Sequence, residues 1–363
     1  LLYLTGYKSI SIDDLKEFRQ LNSICAGHPE YKKGTGIETT TGPLGQGLGN
    51  AVGMAIGEEI LRKKFGSSLI NNKTYVIASD GDLMEGVSHE AMSLAGHLNL
   101  KNLIVFFDNN KISIDGSTSL SVSDNYKKRF ESYGWNFLEI NGHNEKQISK
   151  AITKASKSKK PTVISCKTMI GFGSPNKSGK ASSHGSPLGE EEIALVRKKL
   201  KWNSGPFEIP NDILNAWREI GKNGIEKEKK WQETLNKKSS SIKSELENTY
   251  TKSDLKELQN LIKKEKTKYF ESKPSMATRQ SSSAAIESLS KMLPQLIGGS
   301  ADLSGSNNTK TNNSKIINSK NFSGNYIHYG VREHGMAAVM NGLALHSNLI
   351  PYGGTFLIFS DYC

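Results

Sequence analysis

The stretch that decides the fold is residues 74–116, TYVIASDGDLMEGVSHEAMSLAGHLNLKNLIVFFDNNKISIDG. An apolar run at 75–78 predicts a buried strand, and apolar residues at helical spacing over 85–98 predict a helix. A second apolar run at 103–107 predicts a further strand, and the acidic residues at 79–82 predict a turn. A strand, turn, helix and strand in this order are typical of a right-handed βαβ unit in a parallel sheet.

Two oxygen-bearing side chains follow the two predicted strands. Asp80 comes after the first strand and Asn110 comes after the second. The carboxyl ends of neighbouring parallel strands meet at one edge of the sheet, where open α/β sheets bind their ligands. Carboxylate and amide oxygens suit a hard cation such as Mg²⁺ or Ca²⁺, which keeps open positions for a diphosphate. On these residues alone an alternative stays open, in which Asp80 caps a helix and Asn110 merely ends a strand.

Two loops on either side of this stretch contain many glycines. Residues 38–47, ETTTGPLGQG, precede a predicted helix that runs to residue 64, so backbone N–H groups and a helix N-terminus could face an anion. A plain capped turn is the alternative. Downstream, a helix is predicted at 145–156 and a buried strand at 162–167. That strand leads into a second glycine-rich loop, 171–179, at the sheet edge where function concentrates.

Composition limits the class of protein. The 363 residues have room for two or three domains, and no apolar run has membrane-spanning length. The net charge of +12, from 48 Lys+Arg against 36 Asp+Glu, is spread along the chain, which argues against a nucleic-acid-binding module. Cys25, Cys166 and Cys363 show no metal-ligand spacing and fit a reducing cytoplasm. Because the sequence begins at Leu1 and stops at Cys363, we expect an internal fragment of a longer protein.

Eight segments occur in the order and register of one enzyme family. They are LTGY (4–7), GHPE (27–30), ETTTGPLGQG (38–47), DG with MEG (80–86), ISIDG (112–116), GFGSPNK (171–177), GSADL (299–303) and YIHYGVRE (326–333). Together they resemble transketolase, a thiamine-diphosphate-dependent family, over essentially the whole chain. One departure is Ser79, which stands where the thiamine-diphosphate motif begins with glycine.

The resemblance implies an α/β fold of doubly wound parallel sheets that bind thiamine diphosphate. We predict a diphosphate- and metal-binding domain at 1–212, a charged helical linker at 213–272 and the start of a pyrimidine-binding domain at 273–363. The implied reaction transfers a two-carbon ketol group from a ketose phosphate to an aldose phosphate, through a dihydroxyethyl carbanion held on the cofactor. The implied assembly is a cytoplasmic homodimer with active sites at the interface, acting on sugar phosphates without nucleic acid or membrane.

The resemblance also implies site residues. The metal, Mg²⁺ or else Ca²⁺ or Mn²⁺, would be held by Asp80, Asn110 and the backbone carbonyl of Ile112. Glu333 would hydrogen-bond N1′ of the aminopyrimidine, and Phe356 would stack on that ring. The other residues implied to contact the cofactor are Gly42, Pro43, Leu44, Gly81, His184 and Asp302.

Catalysis and substrate binding are implied for a partly overlapping set. His28 and His184 would face the reactive carbon of the cofactor and the sugar, since histidine exchanges protons near neutral pH. Arg279 and Ser306 would hold the substrate phosphate. Glu85 matches a carboxylate at the dimer interface, near Glu333 of the partner subunit. Each of these residues, taken singly, also fits a structural role on the surface, in the core or at a helix end.

Three alternatives remain open at this point. The nearest is a related thiamine enzyme, either a dihydroxyacetone synthase or a 1-deoxyxylulose-5-phosphate synthase. Another is a non-catalytic transketolase-like protein, against which the presence of Asp80, Asn110 and Glu333 argues. A basic nucleic-acid-binding module has the least support. We also expect the 363-residue piece by itself to be inactive, with an unpaired edge in its second sheet.

Overall fold

A computed structural model describes residues 1–250 and 255–363. The helices are α1 (Leu2–Thr5), α2 (Ile12–Lys16), α3 (Gln46–Phe65), α4 (Asp80–Met84), α5 (Gly86–His97), α6 (Tyr126–Ser132), α7 (Glu145–Ser156), α8 (Glu190–Leu200), α9 (Asn211–Asn236), α10 (Ser240–Tyr250), α11 (Leu255–Ser272), α12 (Thr278–Met292), α13 (Ser304–Asn307) and α14 (Glu333–His346). The strands are β1 (Thr74–Ser79), β2 (Leu103–Asn109), β3 (Asn136–Asn141), β4 (Thr162–Lys167), β5 (Leu296–Ser300), β6 (Tyr326–His328) and β7 (Ile350–Gly354). Alternating helices and parallel strands confirm the predicted α/β class.

The first sheet contains the four strands of the N-terminal half, in the order β1-β2-β4-β3. Strand β4 pairs in parallel with β2 and with β3, and Thr162 lies opposite both Ile104 and Asn136. Ile104 and Ile164 are fully buried, and they pack with Ala151 of α7 in one apolar cluster. The carboxyl ends of β2 and β4 therefore share one edge of the sheet, and Asp80 after β1 lies close to the Lys111 amide that follows β2.

The burial predicted for residues 75–78 is wrong for two of its side chains. Ala78 is buried, whereas Tyr75 is 51% exposed and Ile77 is 83% exposed. Tyr75 and Ile77 lie two residues apart and so point to the same face of β1, which the described residues leave largely uncovered. An apolar run predicts a strand, and it does not tell which face of that strand other residues cover.

The acidic turn predicted at residues 79–82 is instead the first turn of a short helix. Ser79 is the N-cap of α4: its hydroxyl accepts the Asp82 N–H, and the Asp82 carboxylate accepts the Ser79 N–H in return. This reciprocal pair is a capping box with aspartate as its acid. Glu85 then has extended backbone angles, so the helix predicted from residue 85 begins at Gly86.

The second sheet belongs to the C-terminal half and has the order β6-β5-β7. Both neighbours pair in parallel with β5, with Gly298 opposite Tyr326 and Tyr352. All five residues of β5 are buried. Tyr326 and Tyr329 are among the largest fully buried side chains of the described residues.

Glycines allow α3 and α14 to approach closely. Gly49, Gly53 and Gly57 recur every fourth residue of α3 and so lie on one face of that helix. A Cβ atom added at Gly53 would overlap the carbonyl oxygen of Val339 and the backbone of Gly342 in α14. This backbone-to-backbone contact requires a residue without a side chain.

We therefore expect Gly53→Ala to destabilise the full-length protein by about 1–3 kcal/mol, the usual penalty for overpacking a close contact. Gly224 of α9 is the matched control, because a Cβ atom there would meet nothing within 4 Å. Gly224→Ala should be neutral or stabilise the protein by up to about 1 kcal/mol, through the higher helix propensity of alanine. Thermal unfolding of both variants checks this, and equal melting temperatures would contradict the contact.

The described residues divide into two compact units. The first comprises 1–48, 75–89 and 101–233, and the second comprises 49–74, 90–100 and 234–363. Helices α9, α10 and α11 cover most of the predicted charged linker, of which residues 251–254 lie outside the described part of the chain. The three-part division by sequence stays a prediction. No described helix combines the length and the apolar character needed to cross a membrane.

Candidate active site

Asp80, a predicted metal ligand, belongs to the first unit. It directly follows β1, it is the first residue of α4, and it is only 3% exposed. Its Oδ1 atom accepts a hydrogen bond from the Tyr126 hydroxyl at 3.2 Å. Its Oδ2 atom is buried and accepts no hydrogen bond from any described residue. A buried acceptor without a donor is costly, and in native proteins it commonly marks the place of an ion or a water molecule.

The electrostatics of Asp80 agree with that geometry. Burial raises the pKa of the Asp80 carboxyl above its ordinary value, and the Tyr126 hydrogen bond and the Lys111 backbone amide oppose the rise. The Lys111 amide favours the ionised form of the Asp80 carboxyl, although it forms no hydrogen bond of normal geometry to Oδ2. Burial, followed by the charge of Asp80, raises the pKa of Tyr126 to about 12, so that hydroxyl remains a donor at neutral pH.

Asn110 follows β2 and its amide is held on both sides. The Nδ2 group donates to the Asp108 carboxylate at 3.1 Å, and the Oδ1 atom accepts the Ile112 N–H at 2.9 Å. Between them, Lys111 has a left-handed backbone with φ of 62°. Because the Lys111 amide acts on Asp80, the structure brings the predicted ligand Asp80 beside the 110–112 segment that contains the other two.

The glycine-rich loop before α3 is tied to the same turn. The Gly45 N–H donates to Asp82 Oδ1 at 3.1 Å. A Cβ atom at Gly81 would lie 3.0 Å from Leu44, and a Cβ atom at Gly42 would lie 3.1 Å from His28. The structure therefore brings His28, the 42–44 loop and the 80–81 turn together in the first unit, while the roles of these residues stay predictions.

The loop that leaves β4 is held by Glu192 of α8. This buried carboxylate accepts hydrogen bonds from the Ser174 hydroxyl and from the backbone and side-chain amides of Asn176. The Ser174 and Asn176 bonds lower the pKa of Glu192 to about 2. Gly171 packs against Ser183, next to His184, whose own side chain is exposed. Glu192 thus holds the folded loop that presents His184.

An open cleft of about 610 Å³ lies at the carboxyl ends of β1, β2 and β4. Its lining includes the polar residues Asp108 and Asn110, and Met169 to Gly171 of the loop that follows β4. The remaining lining residues are Ile77, Phe106, Cys166 and Thr168. The predicted metal ligand Asn110 and the His184 loop therefore border one cleft.

Glu333 lies in the second unit, where it follows β6 and begins α14. It is 8% exposed, an unusual burial for a carboxylate. The neighbouring Gly335 N–H donates to the Glu90 carboxylate at 2.6 Å, so two acids gather at this positive helix end. Burial and then the charges of Glu333 and Glu90 raise the pKa of the Cys363 thiol, which places both carboxylates near that residue.

The other predicted site residues of the second unit are exposed. The Phe356 ring lies 5.8 Å from that of Phe359, and Phe356 precedes the 3₁₀ turn Leu357–Tyr362. Asp302 has a left-handed backbone with φ of 60°. Arg279 lies in α12 and Ser306 lies in α13, and among the described residues no hydrogen bond connects these two side chains to each other. In the first unit, the predicted Glu85 is also exposed, and Pro43 lies on the surface of its loop.

Three residues of this region were not predicted from the sequence. Asp82 could have been found, because an acid three residues after Ser79 is the signature of a capping box. Tyr126 and Glu192 carry no such signal. They act on Asp80 and Ser174, which lie 46 and 18 residues away in the sequence.

The predicted set of metal ligands suits a hard cation better than a soft one. It consists of one carboxylate, one amide and one backbone carbonyl, and such oxygen ligands match Mg²⁺ or Ca²⁺. The described residues contain no group of three His, Cys, Asp or Glu side chains that could hold a metal by themselves. The buried, unpartnered Oδ2 atom of Asp80 nevertheless fits a cation that also contacts a bound anion.

Comparisons with known proteins identify the family of the chain. Residues 1–257 match the family model described as transketolase, thiamine diphosphate binding domain, and residues 274–363 match transketolase, pyrimidine binding domain. The chain is 47% identical over 362 residues to a transketolase of Sinorhizobium medicae, covering 100% of this chain and 52% of that protein. It is 50% identical over 371 residues to a transketolase of Buchnera aphidicola, covering 100% and 55%.

Solved structures give the same result. Transketolase from Campylobacter jejuni matches with a TM-score of 0.87 and 40% identity, covering 99% of this chain and 55% of that one. A Pichia stipitis transketolase in complex with sedoheptulose 7-phosphate matches with a TM-score of 0.88 and 37% identity, covering 99% and 55%. The chain spans about half the length of the curated relatives it matches. The two family models, the curated relatives and the solved structures therefore give the same answer, and the chain belongs to the transketolase family.

Proposed function

We propose that the protein is a transketolase, which transfers a two-carbon ketol group from a ketose phosphate to an aldose phosphate. The observation that carries the proposal is the buried, unpartnered carboxylate oxygen of Asp80 at the carboxyl end of β1. It lies in a segment matched by a thiamine diphosphate binding domain. Relatives of the same name cover the whole chain.

Thiamine diphosphate is the proposed cofactor, and it supplies a carbon centre that stabilises negative charge during cleavage and formation of carbon–carbon bonds. Gly42, Pro43 and Leu44 would line it, and Gly81 would lie beside its diphosphate. The contact between Leu44 and Gly81 supports this, because the two predicted segments are neighbours. Asp302 would also contact the cofactor.

A divalent cation, with Mg²⁺ as the first candidate, would join the diphosphate to the protein. Asp80 would provide the charged ligand, while the Asn110 side chain and the Ile112 carbonyl would provide neutral oxygens. The hydrogen bonds of Asn110 to Asp108 and Ile112 already orient its amide. The carboxylate would therefore compensate part of the cation's charge in a site where burial makes charge interactions strong.

Glu333 would hold a proton at N1′ of the aminopyrimidine, and Phe356 would stack on that ring. Burial of Glu333 at the start of α14 supports this role, because a buried acid at a helix N-terminus has a fixed position. His28 and His184 would exchange protons with the sugar hydroxyls, and their exposure leaves both accessible to a substrate. Arg279 and Ser306 would hold the substrate phosphate, since a guanidinium fork matches phosphate oxygens.

We also infer that the protein is a homodimer with shared sites. The proposed metal ligands belong to the first compact unit, and Glu333 and Phe356 belong to the second. Glu85 would then lie at the interface, near Glu333 of the partner subunit. A cytoplasmic location is inferred from three free cysteines, which fit a reducing compartment and can be checked by cell fractionation.

The proposed function is tested with the full-length protein, thiamine diphosphate, Mg²⁺ and a ketose phosphate labelled with carbon-13 at C1 and C2. We expect an aldose phosphate acceptor to gain two labelled carbons by mass spectrometry, and omission of either the cofactor or Mg²⁺ to prevent this. Light scattering of the same preparation should give twice the chain mass. Label transfer only to formaldehyde would instead favour dihydroxyacetone synthase. Transfer only from a separate pyruvate donor, labelled at C2 and C3, would favour 1-deoxyxylulose-5-phosphate synthase.

A further inference from the structure

Tyr126 makes a contact that the proposed reaction does not use. Its hydroxyl donates to Asp80 Oδ1 at 3.2 Å, across 46 residues of sequence. No other described side chain donates a hydrogen bond to that carboxylate. Since one oxygen of Asp80 is occupied and the other is not, the hydroxyl distinguishes the two oxygens of the proposed metal ligand.

The ring that carries this hydroxyl is held in place on two sides. The Phe107 ring of β2 meets it edge to face at a centroid distance of 4.8 Å. The Arg129 guanidinium lies over its face, 4.8 Å from the ring centroid. A ring fixed by an aromatic neighbour and a cation has few other orientations, so the position of the hydroxyl is determined before any ligand binds.

Arg129 in turn connects α6 to the turn that carries Asp80. Its Nη2 group donates to the Leu83 carbonyl in α4 at 3.0 Å, and its Nη1 group donates to the Asp124 carboxylate at 2.9 Å. The guanidinium therefore holds both Tyr126 and the helix that Asp80 begins. The donor and the acceptor of the Tyr126–Asp80 hydrogen bond are fixed by the same side chain.

We propose that Tyr126 is a positioning residue for the metal ligand Asp80. By holding Oδ1, it prevents rotation of the carboxylate and keeps Oδ2 as the free acceptor for the divalent cation. Side chains that hydrogen-bond a metal ligand in this way orient it, and their loss typically costs 10–100-fold in metal affinity. The inference rests on the proposed function, because it requires a cation at Asp80.

The test is Tyr126→Phe in the full-length protein, which removes one hydroxyl and keeps the ring between Phe107 and Arg129. Mg²⁺ is titrated by calorimetry at a fixed concentration of thiamine diphosphate, and Mn²⁺ binding is followed separately by electron paramagnetic resonance. We expect the dissociation constant of both cations to rise about tenfold. The melting temperature of the metal-free protein should change little.

Tyr133→Phe is the matched control, because the Tyr133 hydroxyl bonds His89 at 3.0 Å and not Asp80. It should leave cation affinity unchanged. Equal weakening in both tyrosine variants would show general loosening around α6 and overturn the positioning role, as would unchanged affinity in Tyr126→Phe. Asp80→Asn, titrated in parallel, separates the two proposals: if it also binds cations normally, the proposed metal site itself fails.

Discussion

Replacing Asp80 by asparagine should lower Mg²⁺-dependent binding of thiamine diphosphate by more than about 100-fold, beyond the range typical of residues that only support a ligand. The variant keeps the volume of the side chain and an oxygen that can accept the Tyr126 hydrogen bond. It removes the negative charge, which is the only charge among the three proposed ligands. Calorimetry with Mg²⁺, and again with a chelator present, measures the effect.

The same substitution should not destabilise the metal-free protein. Burial raises the pKa of Asp80, so its ionised form is disfavoured in the folded chain when no cation is present. A neutral amide removes that penalty, and we expect an unchanged or higher melting temperature. Asp212→Asn, at an exposed position of α9, is the control for both measurements. Normal cofactor affinity in Asp80→Asn would remove Asp80 from the metal site.

Replacing Glu333 by glutamine should leave cofactor affinity within a few-fold and slow hydrogen–deuterium exchange at C2 of bound thiamine diphosphate by about 10²–10⁴-fold. The amide keeps the shape of the buried side chain but cannot hold the proton at N1′. Exchange followed by NMR in the full-length protein reports this step without any sugar substrate.

Glu287→Gln is the control for Glu333→Gln. Glu287 lies in the same compact unit, and its carboxylate accepts hydrogen bonds from Asn312 and Asn313. Thiamine diphosphate bound to the Glu287→Gln variant should exchange its C2 proton at the wild-type rate. If Glu333→Gln exchanges equally fast, the N1′ role is wrong, whereas a large loss of cofactor affinity would show that Glu333 mainly supports binding.

The regular elements could be predicted where local pattern and burial agree. Helix α7 and strand β4 have the predicted bounds, because an amphipathic period persists through the helix and the first four residues of the strand are all buried. Strand β1 was found but its burial was not, since exposure depends on which elements lie beside it.

Within the candidate site, only the residues that lie in family motifs could be predicted from the sequence. The sequence identified Asp80 and Asn110 by their places after two strands, and the structure puts the 110–112 segment beside Asp80. It gave no sign of Tyr126 or Glu192, because neither belongs to a local pattern. Side chains that support a site from a distant segment become visible only when the chain is folded.

The capping box at Ser79 has a consequence for how such proteins are detected by their motifs. A search for the glycine-initiated motif would reject this chain at its first position. Glycine would give this position a flexible backbone, whereas the Ser79 hydroxyl accepts a hydrogen bond from the Asp82 N–H. The Asp82 carboxylate in turn accepts the Gly45 N–H and so anchors that loop. Serine and aspartate therefore form a matched pair: a glycine at position 79 would remove the hydroxyl that accepts the Asp82 N–H, while Asp82 would still accept the Gly45 N–H.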